Sequence, residues 1–136
     1  MRPGWDDIWI NFAENIAKRS ADSKYKVGAV VVNAENTQVL SIGYNGDHKG
    51  GPNRRQSQET GKSGFIHAEI NALIKMDYNR PCNKKMYLTL SPCEICAKAI
   101  VNAGIDEVCY SDYYEDCGDA INILLNAGIV VRSHQS

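Results

Sequence analysis

The sequence predicts an α/β domain of three layers, with a mixed five-stranded sheet covered by helices on both faces. Three observations carry that expectation. A β-branched hairpin follows an N-terminal helix, and strands then alternate with helical runs, an order that builds layered α/β architecture. Helical runs open in recognisable caps and close in glycine. A chain of 136 residues, 43% hydrophobic and 23% charged, is also large enough to bury a core without disulfide staples. One domain over residues 1–136 is expected, since no linker or low-complexity tract interrupts the pattern.

The elements follow in order. Ile8, Trp9, Phe12, Ala13, Ile16 and Ala17 recur at the spacing of one helical face. Asp6 and Asp7 near its start and Lys18 and Arg19 near its end suit the helix dipole. "KVGAVVVNAENTQVLSIGYNG" reads as a hairpin, with Val27 to Val32 and Val39 to Gly43 flanking the polar turn "NAENTQ". From Asp47 to Gly64 the chain is polar and glycine-rich without periodicity, a loop of the length that usually serves function. "IHAEINALIKM" reads as a helix with Ile66, Ile70, Leu73 and Ile74 on one side. "KKMYLTLS" is a strand and "PCEICAKAIVNAG" a helix, with Ser91 as N-cap, Pro92 at its first position and Glu94 completing a capping box. "DEVCYS", "DAINILLNAG" and "IVVRS" read as strand, helix and a last short strand. "NAGI" occurs twice, at Asn102 to Ile105 and Asn126 to Ile129, each time placing Gly at a left-handed helix end with an apolar residue behind it.

A formal net charge of -1 provides no basic excess, which argues against a nucleic-acid partner. The N-terminus carries acids and amides where a signal peptide needs an apolar run, and the longest apolar stretches are strand-sized. A soluble, intracellular, cytoplasmic chain without membrane association is expected. Under reducing conditions five cysteines, an odd number, suit metal ligation plus free thiols better than paired disulfides. Cys82, Cys109 and Cys117 are expected as free thiols, with Cys109 buried in a strand.

Cys93 and Cys96 fall at the start of a capped helix, where the dipole favours thiolate. That spacing alone fits a redox pair as well as a metal site. The partner that decides is His67-Ala68-Glu69. One imidazole and two thiolates make a soft set suited to zinc, leaving a fourth tetrahedral position for water. Glu69, two residues past His67, is placed to move that water's protons. A lone histidine before a helix is mostly structural and a helix-start glutamate mostly a cap or a solvated group. Together with P-C-x-x-C, however, H-x-E forms the zinc-deaminase signature. One catalytic Zn2+ on His67, Cys93 and Cys96 is expected, with Glu69 as the catalytic proton carrier.

With these residues, "KVGAVVV", "GYNG", "HAEINAL", "YLTLSPCEICAKAI", "AGIDEVCY" and "AGIVV", from about Ile8 to Val131, resemble the cytidine deaminase-like superfamily. "GYNG" together with "HAEINA" is most similar to its deoxycytidylate (dCMP) deaminase branch. The resemblance implies the cytidine deaminase-like sandwich and hydrolytic deamination of dCMP to dUMP with release of ammonia, supplying dUMP for dTMP synthesis. It also implies activation by dCTP, inhibition by dTTP and a homo-oligomer, commonly a hexamer.

Residue by residue, the resemblance implies that Asn45 contacts the nucleotide and that the backbone around Ala68 and Ser91 meets the pyrimidine edge. An aromatic after the fourth strand, Tyr114 among Tyr110, Tyr113 and Tyr114, is expected near the base, with packing as its alternative role. Gly43, Tyr44 and Gly46, with Lys24, are expected beside the effector site, although N-G is also a common turn dipeptide. A 5′-phosphate needs a cation; Lys26 ranks first among Lys24, Lys26, Arg54, Arg55 and Lys62. Some relatives hold a second, structural zinc through a cysteine ahead of "KVGA" and more in the loop after "GYNG". Here Asp22 stands in the first region, the loop has no cysteine, and His48 alone is too little for a site. The competing readings are a zinc deaminase of free nucleosides, bases or tRNA and single strands, and a zinc-stabilised module without turnover. Glu69, which zinc binding does not require, speaks for an enzyme.

Overall fold

A computed structural model describes residues 1–134; Gln135 and Ser136, inside the expected domain range, lie outside the described residues. The chain forms α1 (Trp5–Ala17), β1 (Gly28–Asn33), β2 (Val39–Tyr44), α2 (Ala68–Ile74), β3 (Lys84–Leu90), α3 (Glu94–Ala103), β4 (Glu107–Asp112), α4 (Ala120–Asn126) and β5 (Val130–Ser133). The five strands form one sheet in the order β2-β1-β3-β4-β5. β1 pairs antiparallel with both β2 and β3, while β3, β4 and β5 run parallel, so the sheet is mixed as expected.

Alternation along the central strands divides the core between two faces. Val30 and Val32 of β1, Tyr87 of β3 and Cys109 of β4 pack with Trp9, Ile10 and Ala13 of α1. Ala29, Val31, Met86, Leu88 and Val108 point the other way, onto Ala72 of α2, Ala97 and Ile100 of α3, and Leu124 of α4. The result is the three-layer sandwich that the sequence predicts. Cys109 is buried, as expected from its place in a strand.

Two glycines bring helices directly onto the sheet. A Cβ on Gly28 would lie 2.0 Å from the Ala13 carbonyl oxygen of α1, and one on Gly43 would lie 2.4 Å from that of Ala68 at the start of α2. Ser41 extends the second contact, its hydroxyl donating to the Ala72 carbonyl at 2.6 Å. At the helix ends, Gly104 and Gly128 adopt φ of 81° and 84°, with Ile105 and Ile129 buried behind them, as "NAGI" predicts.

Three local expectations are corrected. In α1 the buried residues are Trp9, Ile10, Ala13 and Ala17, while Ile8 faces outward, so the inward stripe is rotated by part of a turn. In α2 the inward residues are Ala68, Glu69, Ala72 and Leu73, and Ile74 is exposed. Small residues face the sheet there because the helix backbone sits against Gly43. The cap of α3 is Cys93, not Ser91. Ser91 still belongs to the sheet edge, its N–H donating to the Asp112 carbonyl at 2.8 Å. The helix therefore begins only after the buried Pro92.

Candidate active site

The site forms where α2 and α3 begin. Before α2, Ile66 makes a two-way backbone bridge with Gly46, at 2.8 and 3.1 Å, which fixes the chain in an extended path. His67 is still extended, at φ -68° and ψ 153°, and helix starts at Ala68. That switch puts the imidazole at the helix mouth and Glu69 in the first turn. Across the cleft, Cys93 caps α3 with its sulfur accepting from the Cys96 N–H at 3.5 Å.

Three side chains meet at this point. His67 Nδ1 lies 3.2 Å from Cys96 Sγ and 3.5 Å from Cys93 Sγ, and the three donor atoms all fall within 4.8 Å of one another. Two ligands on a tetrahedral zinc, at about 2.0 Å for nitrogen and about 2.3 Å for sulfur, stand roughly 3.5 Å apart. The chain's donor set and spacing therefore fit zinc. The donors are hydrogen-bonded to one another. Hydrogen bonding from the Cys96 thiol pulls Cys93 down to about 4, and the same bond drives Cys96 upward. Hydrogen bonding to Cys93 also raises His67. A dication would displace those protons and leave the thiolates as ligands.

Glu69 stands beside this trio and is only 4% exposed. Burial raises its pKa, opposed by its own backbone N–H and by the charge of His67. The carboxyl also meets the Cys96 thiol. A buried carboxyl with a raised pKa, adjacent to a metal-ligand set, is placed to take and return protons.

The pocket above the trio is walled by Tyr25 and Val27 ahead of β1, by Asn45, by Thr60, Gly61 and Ser63 of the long loop, and by Leu90, Ser91 and Tyr114. Four of the five expected substrate contacts, Asn45, Ala68, Ser91 and Tyr114, thus line it together with His67, Glu69 and Cys93. Ser91 Oγ accepts from the Tyr114 N–H at 2.7 Å, which ties the loop after β4 to the wall. Asn45 is held on both sides of its amide: Oδ1 accepts from the Val27 N–H at 2.9 Å, and Nδ2 donates to the Tyr25 carbonyl at 2.7 Å.

Lys26 does not line this pocket. Its ammonium donates to the Ser20 carbonyl at 3.0 Å, and it borders an adjacent groove with Lys18, Lys24, Glu14 and Asp112. That groove shares Tyr25, Val27 and Leu90 with the pocket. The residues expected beside the effector site are not brought together: Gly43 lies under α2, Lys24 borders the Lys26 groove, and only Tyr44 and Gly46 share a separate cleft, with Arg19, His48, Lys49 and Lys75. Sequence reasoning offered Arg55 only as one of five candidate phosphate cations and Asp22 only as the residue where some relatives carry a zinc cysteine; it missed that the two line the pocket as a buried ion pair 2.7 Å apart.

Residues 3–112 match the family model described as the cytidine and deoxycytidylate deaminase zinc-binding region. The deoxycytidylate deaminase of Homo sapiens is 37% identical over 94% of this chain and 78% of its own length. That of Saccharomyces cerevisiae is 36% identical over 97% of this chain, which spans only 45% of the yeast protein. The dCMP deaminase of cyanophage S-TIM5, solved in complex with dCMP and dUMP, superposes with a TM-score of 0.83 at 32% identity, covering 98% of this chain and 99% of that one. With the ligand set, the buried carboxyl and the sandwich that positions them, these matches establish that the chain belongs to the cytidine and deoxycytidylate deaminase family.

Proposed function

We propose that this chain is a zinc-dependent hydrolase that converts dCMP and water to dUMP and ammonia, with one catalytic zinc per chain. The observation that carries the reading is Glu69, a buried carboxyl with a raised pKa beside the His67, Cys93 and Cys96 donor set. Its supporting comparison is the phage dCMP deaminase, solved with dCMP and dUMP, which matches over nearly the full length of both chains.

When bound, zinc supplies an acidified water as nucleophile. Glu69 takes a proton from that water and delivers it to pyrimidine N3, which makes C4 electrophilic. Once oxygen has added at C4, Glu69 takes the proton of the new C4 hydroxyl and passes it to the exocyclic amine; the C4–N bond breaks, ammonia leaves and C4 becomes the carbonyl of dUMP. Asn45, Ala68, Ser91 and Tyr114, which line the pocket, orient the base and sugar. The 5′-phosphate extends toward the groove of Lys24 and Lys26, which shares three wall residues with the pocket.

The regulatory reading is that dCTP activates and dTTP inhibits through the cleft beside Tyr44 and Gly46. Arg19, Lys49 and Lys75 line that cleft and supply the positive charge a triphosphate requires. Assembly as a homo-oligomer, a hexamer, is supported by large apolar side chains left outside on α2 and α3, with Ile74 at 68% and Ile95 at 69% exposure. The product dUMP would feed dTMP synthesis in the cytoplasm. Among the described residues, no helix is long and apolar enough to cross a membrane.

The test is ammonia release by zinc-loaded protein from dCMP, CMP, dCTP, deoxycytidine, guanine and tRNA, with and without dCTP and dTTP. Turnover of dCMP above the rest, modulated by the triphosphates, is the expected result. Preference for a free nucleoside, a base or tRNA would overturn the substrate assignment while leaving the zinc chemistry in place.

A further inference from the structure

We propose that Asp22 and Arg55 are positioning residues, whose ion pair clamps the loop after β2 as a wall of the catalytic pocket and fixes the amide of Asn45. The inference rests on the deaminase reading for its kinetic arm only.

The geometry is that of a clamp that uses four of the five guanidinium N–H groups. Arg55 Nη1 donates to both Asp22 oxygens, at 2.7 and 2.8 Å. Its Nε donates to the Ser57 carbonyl at 3.0 Å and its Nη2 to the Glu59 carbonyl at 3.3 Å. One guanidinium therefore gathers the turn from Ser57 to Glu59 and ties it to the segment between α1 and β1. The two side chains are 4% and 3% exposed. A guanidinium so enclosed, with its Nη1 committed to Asp22 and its Nε to Ser57, is not free to leave for a substrate phosphate. Transferring it would leave Asp22 charged, buried and without its guanidinium partner, which is strongly unfavourable.

Asp22 reaches a second target. Its Oδ2 accepts from Asn45 Nδ2 at 3.3 Å, and its Oδ1 from the Lys24 N–H at 2.8 Å. Ser20 completes the network, with its hydroxyl donating to the Asn45 carbonyl at 2.8 Å and accepting from the Asp22 N–H at 3.1 Å. The same carboxylate thus holds the loop through Arg55 and the pocket amide through Asn45.

What the clamp holds is pocket wall. Beyond Glu59 the loop supplies Thr60, Gly61 and Ser63 to the pocket, and the N–H of Gln56 closes it by donating to the Ser63 carbonyl at 2.7 Å. Gly61, at φ +79°, comes up against Tyr114 of the opposite wall: a Cβ there would sit 3.8 Å from the tyrosine hydroxyl. Lys24 adds a second tie through its ammonium to the Gln58 carbonyl. None of these bonds involves Glu69 or the His67, Cys93 and Cys96 donors, so the clamp bears on substrate binding and not on the proton transfers.

The experiment compares full-length, zinc-loaded wild type with D22N, R55M and D22N/R55M. Two readouts are taken: steady-state kinetics on dCMP, and hydrogen exchange of the loop after β2 against the sheet strands. Each single variant is expected to raise KM about tenfold with kcat within about threefold, and to speed exchange in the loop alone. The double variant, which leaves no unpaired buried charge, should lose no more than the worse single. Multiplying effects, an unchanged KM, a fall in kcat at fixed KM, or faster exchange throughout the sheet would each overturn the clamp. Wild type inactive on dCMP would overturn the functional reading instead, and loop exchange would then decide the clamp alone.

Discussion

Glu69 sits in the first turn of α2 in a place where few carboxylates survive, buried so far that desolvation outweighs the neighbouring charge of His67. It lies beside the His67, Cys93 and Cys96 donors, and in the proposed reaction proton transfer is the property its burial tunes. Glu69→Gln keeps the shape and removes the base; turnover of dCMP should fall by about 10²–10⁴ while zinc content, read by metal analysis, stays at the wild-type level. A variant retaining a tenth of the activity would remove Glu69 from the mechanism. Lys26 gives a second test at this scale. If its groove receives the phosphate, Lys26→Ala raises KM for dCMP about tenfold and leaves that for deoxycytidine unchanged, because one charge-assisted contact is lost. Equal effects on both substrates would put the phosphate elsewhere. His67, Glu69, Cys93 and Cys96 were legible because each pair sits within a few residues and the spacing itself carries the chemistry. Asp22 and Arg55 lie 33 residues apart and follow no period, so only the fold joins them. The rank of Lys26 over Arg55 as a phosphate ligand rests on its place beside "VGA" alone, because sequence offers the cations but not which of them are already spent on a carboxylate.

Helices and strands were legible for a different reason. Period-two runs such as "VGAVVV" can face two layers at once, and the structure divides Val30 and Val32 from Ala29 and Val31 accordingly. The inward face of α2 was misread because hydrophobic weight favoured the isoleucines, whereas contact distance favours Ala68 and Ala72. Gly43 sets that distance, and Gly28 does the same for α1. These two glycines separate stability from catalysis. Gly28→Ala and Gly43→Ala each force a methyl into helix backbone and should each cost about 1–3 kcal/mol in denaturant unfolding. Only Gly43→Ala pushes on the turn that carries His67 and Glu69. It should therefore also lower zinc occupancy or kcat in protein held at a temperature where both variants remain folded. Loss of activity in Gly28→Ala matching that of Gly43→Ala, at equal folded fraction, would mean that α2 does not set the site.

Across the whole molecule, the first helix is tied to the last strand by charge. Asp6 of α1 accepts from Arg132 of β5 and, at 2.6 Å, from the Tyr87 hydroxyl of β3, while Asp7 meets His134 at 2.8 Å. Burial works to raise the pKa of Asp6, but the bonds from Arg132 and Tyr87 prevail and hold it below the ordinary carboxylate value. Asp22 is depressed likewise: burial opposes, and the Lys24 N–H and Arg55 overcome it. A carboxylate with a folded pKa below its unfolded one stabilises the protein at all pH above the unfolded value, and that contribution disappears as pH falls through the folded value. Thermal midpoints should therefore change little from these two groups between pH 7 and about 5, then fall below about 4, where the unfolded chain binds the protons first. Asp6→Asn removes one of the two titrations. It should cost about 0.5–1 kcal/mol at pH 7, the scale of a partly exposed pair, and flatten the decline below pH 4. Differential scanning fluorimetry across that range decides it. An Asp6→Asn profile parallel to wild type down to pH 3 would show that the tie between the ends of the chain contributes nothing to acid sensitivity. The decline would then rest on Asp22 and the clamp at the pocket.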